Sequence, residues 1–440
     1  MGFVKAGGRL KSDDGADEGD ERGVERGAGR TERFDPVNPY WERFLDEAGL
    51  DMTGARGDGC YIETADGRAL LDCLAGFGTA NLGHAHESLL ARFADALQRT
   101  SVNVFPFECA ESQLALADKL LTLSGQRFQK VFFATTGAEA VESAVKFAMT
   151  STGRTDVVAF RDSFHGLSMF SSFMTGNPFW TEALRWKPGN VHHVDAQNFA
   201  ALEDILASRK IAAVVFEPVA GSSAAQHWTA DTASRLAALC RSTGTKLIAD
   251  EVYCGLGRTG TWFGIDAIGM DAKAPEAPAA PDMLVVSKGL TGGLVPLSAV
   301  LMNDGDFDAV FGAPGKAKVQ GSTFGGNRLA MQCGLIVLDL VERGRLVENA
   351  AAMGALIGER IATRFDSRVT LHGKGLALSL KLDPRLDLSM TDVWLDLIDG
   401  GVLAMPNSAA PDSLRLSPPL IFGVDEVEVL IDRLDEALQP

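Results

Sequence analysis

The sequence lacks the features that mark secreted, metal-stabilised or membrane-embedded proteins. Its six cysteines are widely separated, with no CxxC pair, and no histidine cluster has the spacing of a zinc site. We therefore expect buried thiols in a reducing compartment, and neither a disulfide framework nor a metal. No apolar run approaches the length of a transmembrane helix, and the first residues lack the apolar core of a secretory signal. These absences predict a cytoplasmic protein without a membrane partner.

Basic residues are also scarce relative to acidic ones. The chain has 41 Lys and Arg against 58 Asp and Glu, a formal net charge of −17. Because no basic surplus is available to neutralise phosphates, nucleic acids and anionic membranes are not expected as partners. The 440 residues, of which 46% are hydrophobic and 22% charged, suffice for two lobes or for one large α/β domain with an appendage.

The beginning of the chain differs in composition from the rest. Residues 1–33 consist almost wholly of Gly, Asp, Glu, Arg, Lys and Ala. Such a segment cannot bury enough apolar surface to offset its ordering entropy, so we expect a disordered tail. Further on, YIETADGRALLDCL predicts a hairpin that turns at Asp66-Gly67. The Ala/Pro-rich residues 272–281 predict an exposed loop.

Short apolar segments alternate with helical patterns through the middle of the chain. The segments are continuous and rich in β-branched residues, as expected of strands buried on both faces: VFFATT (131–136), VVAF (157–160), IAAVVF (211–216), KLIAD (246–250) and MLVVS (283–287). Helical stretches such as AEAVESAVKFAMTST and ADTASRLAALCRSTG separate them. This alternation predicts βαβ units and a mainly parallel sheet, and LALSLKL and DSLRLS predict strands of a second α+β lobe.

Unusual polar residues follow these predicted strands, at the ends where open α/β sheets bind ligands. Lys288 comes directly after MLVVS and before GLTGG. A lysine there is costly unless it is paired or neutral, and a desolvated lysine of lowered pKa is what Schiff-base chemistry requires. A lysine whose ammonium reaches the surface is the structural alternative.

Three further strand ends carry candidate ligand-binding groups. Asp250, at the end of KLIAD, could face a protonated pyridine nitrogen, or could cap a helix or form an ordinary salt bridge. In TTGAEA, Thr136, Gly137 and Ala138 would direct backbone N–H groups at a helix entrance, which is an anion site. Phe164, in Phe164-His165-Gly166, could stack over the same region or belong to the core.

Together these segments form a pattern that resembles a known family. The pattern is carried by TGAEAVESAVKFA, EPVAG (217–221), IADEVYCGLGRTG (248–260), SKGLTGGLVPLSAVL (287–301), GSTFGGN (321–327) and RLSPPL (415–420). From about residue 36 to the end, the chain resembles class III (ornithine/ω-amino) aminotransferases of the fold type I pyridoxal-phosphate superfamily. LLDCLAGFGTANLGH (70–84) is most similar to the putrescine-type members.

The resemblance implies an α/β fold of type I with a mainly parallel central sheet in a large domain and a smaller α+β domain. It implies that residues 34–82 pack with the small domain, that residues 83–327 form the large cofactor-binding domain, and that residues 328–440 form the small domain.

The resemblance also implies that pyridoxal 5'-phosphate is held as an aldimine on Lys288. Asp250 would be the second catalytic residue and would keep the pyridine nitrogen protonated. The other implied cofactor-binding residues are Val252 and Phe164 on the two ring faces, Thr136, Gly137 and Ala138 at the phosphate, and His165, Glu217, Tyr253 and Ser322.

Two implied residues concern the partners of the site. Thr323 resembles the threonine that reaches the phosphate of the neighbouring subunit, which implies a homodimer with shared sites. Arg415 matches the arginine that grips a substrate carboxylate, a task that suits a fork-shaped guanidinium.

The substrate side departs from the family pattern at two positions. Many relatives have a glutamate after EPxxG that pairs with the carboxylate-binding arginine, and this chain has Ser222 there. Many have glutamine after DEV, and this chain has Tyr253, which could donate to the phenolic oxygen or merely pack. Because Arg415 would lack its usual glutamate partner, these departures weaken the prediction that 2-oxoglutarate is the amino acceptor. Phe77 lies where relatives contact the amine, and its apolar ring favours an uncharged or aliphatic part of a substrate.

The sequence therefore predicts transfer of an amino group from a primary ω-amine or amino acid to a 2-oxo acid. Lys288 would move the proton between the substrate carbon and the cofactor. Two alternatives stay open. The same cofactor also serves elimination or replacement at Cγ, decarboxylation or racemisation, which the loss of the glutamate permits. A non-catalytic protein on the same fold is the other alternative, against which the presence of Lys288, Asp250 and Thr323 argues.

Overall fold

A computed structural model describes residues 38–47, 55–99, 111–270 and 280–439 of the chain. The strands are β1 Arg56–Asp58, β2 Tyr61–Glu63, β3 Ala69–Asp72, β4 Lys130–Ala134, β5 Asp156–Phe160, β6 Val191–Val194, β7 Ile211–Phe216, β8 Lys246–Asp250, β9 Met283–Val286, β10 Ser298–Met302, β11 Val369–Lys374, β12 Ala377–Leu382, β13 Val402–Leu403, β14 Met405–Pro406 and β15 Ser413–Leu416.

The helices alternate with these strands. They are α1 Pro39–Glu47, α2 Ala75–Gly78, α3 Glu87–Arg99, α4 Glu111–Leu123, α5 Gly137–Thr152, α6 Ser171–Met174, α7 Phe199–Ala207, α8 Ala230–Thr243, α9 Gly264–Ala267, α10 Asp304–Phe311, α11 Arg328–Arg343, α12 Leu346–Phe365, α13 Met390–Asp399 and α14 Val424–Ala437. Short 3₁₀ turns lie at Pro178–Trp180, Lys288–Thr291 and Pro314–Lys316.

A seven-stranded sheet in the order β4-β10-β9-β8-β7-β5-β6 forms the centre of the molecule. Strands β6, β5, β7, β8 and β9 pair in parallel, whereas β10 runs antiparallel to both β9 and β4. Every residue of β7 and β9 is buried. Such continuous apolar strands are what a sheet covered by helices on both faces requires.

The carboxyl ends of the parallel strands meet at one edge of this sheet. The residues that follow those ends are therefore brought together: Thr136 after β4, Phe164 after β5, Glu217 after β7, Asp250 at the end of β8 and Lys288 after β9. Because β10 is antiparallel, it begins at the same edge, where the Ser298 hydroxyl donates to the Thr136 carbonyl at 2.8 Å.

Two smaller sheets lie outside the central one. One has the order β1-β2-β3-β13 and the other the order β11-β12-β15-β14. Strand β13 pairs in parallel with β3, Val402 opposite Leu71, so the segment before residue 82 shares a sheet with the C-terminal part of the chain. That pairing supports the proposed domain division, in which residues 34–82 pack with the small domain.

The structure confirms the predicted fold class and most of the predicted elements. Strands form at or within one residue of VVAF, IAAVVF, KLIAD and MLVVS, and VFFATT contributes β4 before turning into α5. The hairpin pairs Glu63 with Ala69 around Gly67, whose φ of 85° suits glycine. The predicted tail at 1–33 lies outside the described residues. Residues 271–279, which include most of the predicted Ala/Pro loop at 272–281, also lie outside them.

Five of the six cysteines of the chain lie in the described segments. The five cysteines in those segments are buried free thiols, as predicted. Within the same segments no helix is both long and apolar enough to cross a lipid bilayer.

Candidate active site

The two adjacent carboxylates at the end of β8 have different tasks. Asp250 is buried, and its Oδ2 lies 2.7 Å from His165 Nδ1 while its Oδ1 accepts the Val252 N–H at 3.0 Å. Glu251 turns to the opposite side and accepts the N–H groups of Gly264 and Ile265 at the start of α9. Burial raises the pKa of Glu251 to about 8. The helix-cap interpretation thus applies to Glu251, and Asp250 faces the strand ends.

His165 fixes the position of Asp250. Its backbone N–H donates to Thr175 Oγ1 at 2.9 Å, which anchors the residue, and its ring is buried beside the carboxylate. In the Nδ1–H tautomer of the imidazole, His165 donates this hydrogen bond to the carboxylate. In the described segments Nε2 has no hydrogen-bond partner. His165 therefore holds one carboxylate oxygen and leaves acceptor capacity on Asp250 for a ligand.

Lys288 occupies a strained position at the edge of the sheet. Its φ is 44°, a left-handed conformation that is uncommon for residues other than glycine. The backbone beside it is anchored by Asn81, whose Nδ2 donates to the Gly289 carbonyl at 2.9 Å. Burial, and then the positive charge of Arg415, lower the pKa of Lys288 to about 8, against smaller opposite effects of Glu217 and Asp250. A substantial fraction of this amine is therefore neutral near physiological pH.

The start of α5 presents free backbone N–H groups close to Val252. Thr136 caps the helix, its hydroxyl accepting from the Glu139 N–H at 3.2 Å. The N–H groups of Gly137 and Ala138 have no acceptor within the helix, as at any helix start. A Cβ on Gly137 would lie 2.9 Å from Val252 Cγ1, so only glycine fits without displacement there.

The loop after β5 is held against this helix start by Glu217. Its Oε1 accepts the Phe164 N–H at 2.8 Å and its Oε2 accepts the Gly221 N–H at 3.0 Å. Burial raises the pKa of Glu217. The half-buried Phe164 ring packs edge-on against Trp180 at 5.9 Å. Glu217 therefore acts on the site by fixing the backbone that carries Phe164.

Tyr253 forms the floor between the two cations. Lys288 Nζ lies 5.3 Å and Arg415 Cζ 5.8 Å from the centre of its ring. Its buried hydroxyl lies beside that of Ser417, which donates to the Leu74 carbonyl at 3.0 Å, and burial raises the pKa of Tyr253. The Tyr253 ring therefore packs, and its hydroxyl retains a proton that it can donate.

Arg415 and Ser222, which the sequence placed opposite each other, do not interact through their side chains. The buried Ser222 hydroxyl donates to the Asp162 carbonyl at 3.0 Å. Arg415 instead donates through Nε to Asn407 Oδ1 at 3.2 Å and lies 5.6 Å from the centre of the Phe77 ring. Burial lowers the pKa of Arg415. No carboxylate of the described segments forms an ion pair with it.

The remaining predicted residues lie on the open side of the site. Phe77 is 42% exposed, with a φ of 60° inside the short α2 turn. Ser322 Oγ lies 3.3 Å from Thr135 Oγ1, which places this loop beside the start of α5 in the same chain. Thr323 is exposed next to it. The side chain of Thr323 is therefore available to a second molecule.

Two residues of the site have no role in the sequence-based hypothesis. Arg258 is buried, donates to the carbonyls of Leu376 and Pro418, and has a pKa lowered to about 10 by burial. Its place in the glycine-rich IADEVYCGLGRTG was a signal that could have identified it. Asn407, the partner of Arg415, follows a two-residue strand and has no comparable local signal.

Comparisons with known proteins show the family of the chain. The sequence model of the family described as aminotransferase class-III matches residues 46–438. The acetylornithine aminotransferase of Gloeobacter violaceus is 34% identical over 386 residues, covering 85% of this chain and 90% of that protein. The acetylornithine aminotransferase of Streptomyces coelicolor is also 34% identical, covering 86% of this chain and 89% of that protein.

Solved structures give the same result. An amine transaminase from an uncultivated Pseudomonas species, in its PLP-bound internal aldimine form, superposes with a TM-score of 0.79 at 30% identity, covering 87% of this chain and 94% of that one. The ornithine aminotransferase of Toxoplasma gondii superposes with a TM-score of 0.78 at 23% identity, covering 91% and 94%, and supports the fold alone.

Proposed function

The chain belongs to the class III aminotransferase family, which uses pyridoxal 5'-phosphate, and we propose that Lys288, Asp250 and the start of α5 carry its amino-group transfer. The amino group moves from a primary ω-amine or amino acid to a 2-oxo acid. One observation carries the residue assignment. Lys288, with its lowered pKa, and the buried Asp250, positioned by His165, stand at the ends of the neighbouring strands β8 and β9.

The residues of this sheet edge fit the cofactor. The free N–H groups of Gly137 and Ala138 and the Thr136 hydroxyl suit a phosphate. Asp250 accepts one hydrogen bond on each oxygen from the protein, so lone pairs stay available for a protonated ring nitrogen. The Val252 side chain packs against Gly137 at the start of α5, where it can cover one face of the cofactor ring.

The chain's own residues would act as follows. Pyridoxal 5'-phosphate, when bound, supplies an electron sink for the bonds of the substrate carbon. In its neutral form, Lys288 Nζ takes a proton from that substrate carbon and returns it to an atom of the cofactor. This is a general acid–base role. Asp250 keeps a positive charge on the ring nitrogen, because a buried carboxylate stabilises an adjacent cation. Phe164 and Val252 exclude water from the two faces of the site.

The assembly and the location of the enzyme are part of the same proposal. The exposed side chain of Thr323 supports a homodimer in which this threonine reaches the phosphate site of the partner. The buried free thiols support a reducing compartment such as the cytoplasm.

A donor panel on the purified enzyme tests the reaction. Amines and amino acids are mixed with the holoenzyme in a single turnover, and the change in cofactor absorbance is followed. We expect several donors to convert the wild-type cofactor, and Lys288→Ala to slow that step by about 10²–10⁴-fold, the usual contribution of a general acid–base group. Lys130→Ala, in the same sheet, is the matched control and should react like the wild type.

Borohydride reduction followed by peptide mapping completes this test. Label on the peptide that contains Lys288 is the expected result, and label on another lysine would show the assignment to be wrong. If no donor converts the cofactor although Lys288 is labelled, the enzyme performs a different reaction on the same cofactor.

A further inference from the structure

A buried polar cluster without charge lies beneath Arg415. It consists of Ser379 on β12, Ser413 on β15 and Asn407 after β14, and none of the three is exposed to solvent. Polar side chains buried to this degree are costly unless they are hydrogen-bonded. Within the segments that the structure describes, the only charged side chain hydrogen-bonded to this cluster is that of Arg415.

The hydrogen bonds of the cluster leave the Asn407 amide a single orientation. The hydroxyls of Ser379 and Ser413 donate to the carbonyls of Leu414 and Ala410, so each hydroxyl oxygen is left as an acceptor. Asn407 Nδ2 donates to both oxygens, at 2.9 Å and 3.0 Å. Since both amide hydrogens are used, Oδ1 must face the Nε of Arg415, where it lies at 3.2 Å.

This arrangement orients the guanidinium without neutralising it. An amide oxygen is a dipole end and carries no net charge, so Arg415 keeps a full positive charge. The Nε edge is occupied by Asn407, and the rings of Phe77 and Tyr253 flank the group at 5.6 Å and 5.8 Å. Ser222 is turned to the Asp162 carbonyl and supplies no counter-charge. The two terminal nitrogens of Arg415 can therefore donate to the two oxygens of one ligand carboxylate, and no protein carboxylate of the described segments neutralises their charge.

We propose that Asn407 is a positioning residue that holds Arg415 as a permanently open carboxylate site, so that the enzyme prefers carboxylate-bearing substrates in both half-reactions. This inference rests on the proposed amino transfer for its consequence in turnover. A donor without a carboxylate would bury the guanidinium unpaired, which is costly. A donor that carries a carboxylate would pair with it, as the 2-oxo acid does in the second half-reaction.

Two substitutions at position 407 separate orientation from charge. Asn407→Asp preserves the size of the side chain but gives Arg415 a permanent counter-ion. Asn407→Leu removes the acceptor and adds no charge. The matched control is Asn349→Asp, the same chemical change at another asparagine, whose amide donates to the carbonyls of Leu420 and Phe422 without contacting Arg415. The binding probe is propionate, which carries no reactive group, measured on the holoenzyme by calorimetry.

We expect Asn407→Asp to raise the Kd of propionate by about 10-fold or more, the order of one charge-assisted contact. Asn407→Leu should raise it less, and Asn349→Asp should leave it unchanged even if the thermal unfolding midpoint falls. In turnover, Asn407→Asp should raise the KM of an amino-acid donor such as β-alanine and not that of ethylamine, which lacks the carboxylate.

Several outcomes would overturn the inference. An unchanged Kd for propionate in a folded Asn407→Asp enzyme would remove the positioning role. Equal wild-type efficiency with β-alanine and ethylamine, or an equal loss for both in the variant, would remove the proposed preference. Because propionate binding needs no turnover, a wild type that binds propionate but transaminates no donor would contradict the proposed reaction while the binding comparison still decides the role of Asn407.

Discussion

At the scale of single residues, two lysines of the same sheet show how surroundings set chemistry. Lys246 and Lys288 are both half-buried, on β8 and directly after β9. Burial alone would lower the pKa of Lys246, but ion pairs with Asp282 and Asp306 raise it instead. Lys288 has no carboxylate within ion-pair distance among the described residues, so burial and Arg415 lower its pKa to about 8. The same residue type is a structural cation in one place and a potential base in the other.

This difference predicts the pH at which the two lysines react in the cofactor-free enzyme. Only a neutral amine is acylated, and a lowered pKa makes the neutral form available at lower pH. The acylation rate of Lys288 should reach half its maximum at about pH 8. That of Lys246 should reach half its maximum above pH 10.5, because its ion pairs raise its pKa above that ordinary value. Pulse acylation with peptide mass spectrometry at several pH values measures both. A Lys288 profile matching that of the exposed Lys187 would contradict the prediction, and saturation with pyridoxal phosphate should protect Lys288 alone.

At the scale of secondary structure, α5 and α8 begin in the same way but serve different purposes. Each is capped by an exposed threonine whose hydroxyl accepts the N–H of the third helical residue at 3.2 Å. The start of α5 lies at the carboxyl edge of the parallel strands, next to Val252. The start of α8 lies away from Lys288 and Asp250, at the end of the loop that follows β7. Only the former can use its free N–H groups to hold an anion from the site.

Substituting the two caps separates stability from cofactor binding. Thr136→Ala and Thr229→Ala should each lower the free energy of unfolding by about 0.5–2 kcal/mol, because each removes one N-cap hydrogen bond. Thr136→Ala should in addition weaken pyridoxal phosphate by about 10-fold, the value of one hydrogen bond to a charged group. Denaturant titration and equilibrium dialysis provide the two measurements. Equal cofactor affinity in the two variants would show that the Thr136 hydroxyl is a cap and nothing more.

At the scale of the whole molecule, large apolar side chains are exposed on the open side of the site. Phe77 is 42% exposed, Leu294 40% and Phe324 60%, and all three surround the strand ends or belong to the loop that carries Thr323. Large apolar side chains exposed beside a polar loop are typical of a subunit interface. The structure of the single chain is therefore consistent with the proposed homodimer, in which a second copy covers this side.

Mixed dimers test whether the site is shared. Lys288→Ala and Thr323→Ala enzymes should each be impaired as homodimers. When the two chains are co-expressed with different tags, the mixed dimer should regain one intact site, since the chain that keeps Lys288 receives Thr323 from its partner. Mixing Lys288→Ala with Thr136→Ala is the control, because Thr136 acts within its own chain and no intact site forms. Equal behaviour of the two mixtures, or an active monomer in sedimentation, would refute the shared site.

The sequence by itself determined the parallel sheet and most of the residues at its edge. Continuous apolar strands such as IAAVVF and MLVVS indicate burial on both faces, and parallel strands bring the residues that follow them to one edge. The sequence therefore predicts that four residues lie together at this edge, because each stands within a few residues of a strand end: Thr136, Phe164, Asp250 and Lys288. Local order along the chain was enough for this part of the site.

The tertiary structure decided which partners those residues meet. That Asp250 lies on His165 while Glu251 caps α9 depends on which way each side chain turns at the end of β8. The direction of the side chain also decides that Glu217 accepts from the backbone N–H of Phe164. It decides likewise that Ser222 donates to the Asp162 carbonyl and not to a group on Arg415. Asn407 meets Ser379, 28 residues away in the chain, only because β12, β15 and β14 pair in register, which no local pattern encodes. Hydrogen bonds between distant segments are specified by packing of the whole chain, so only the folded molecule shows them.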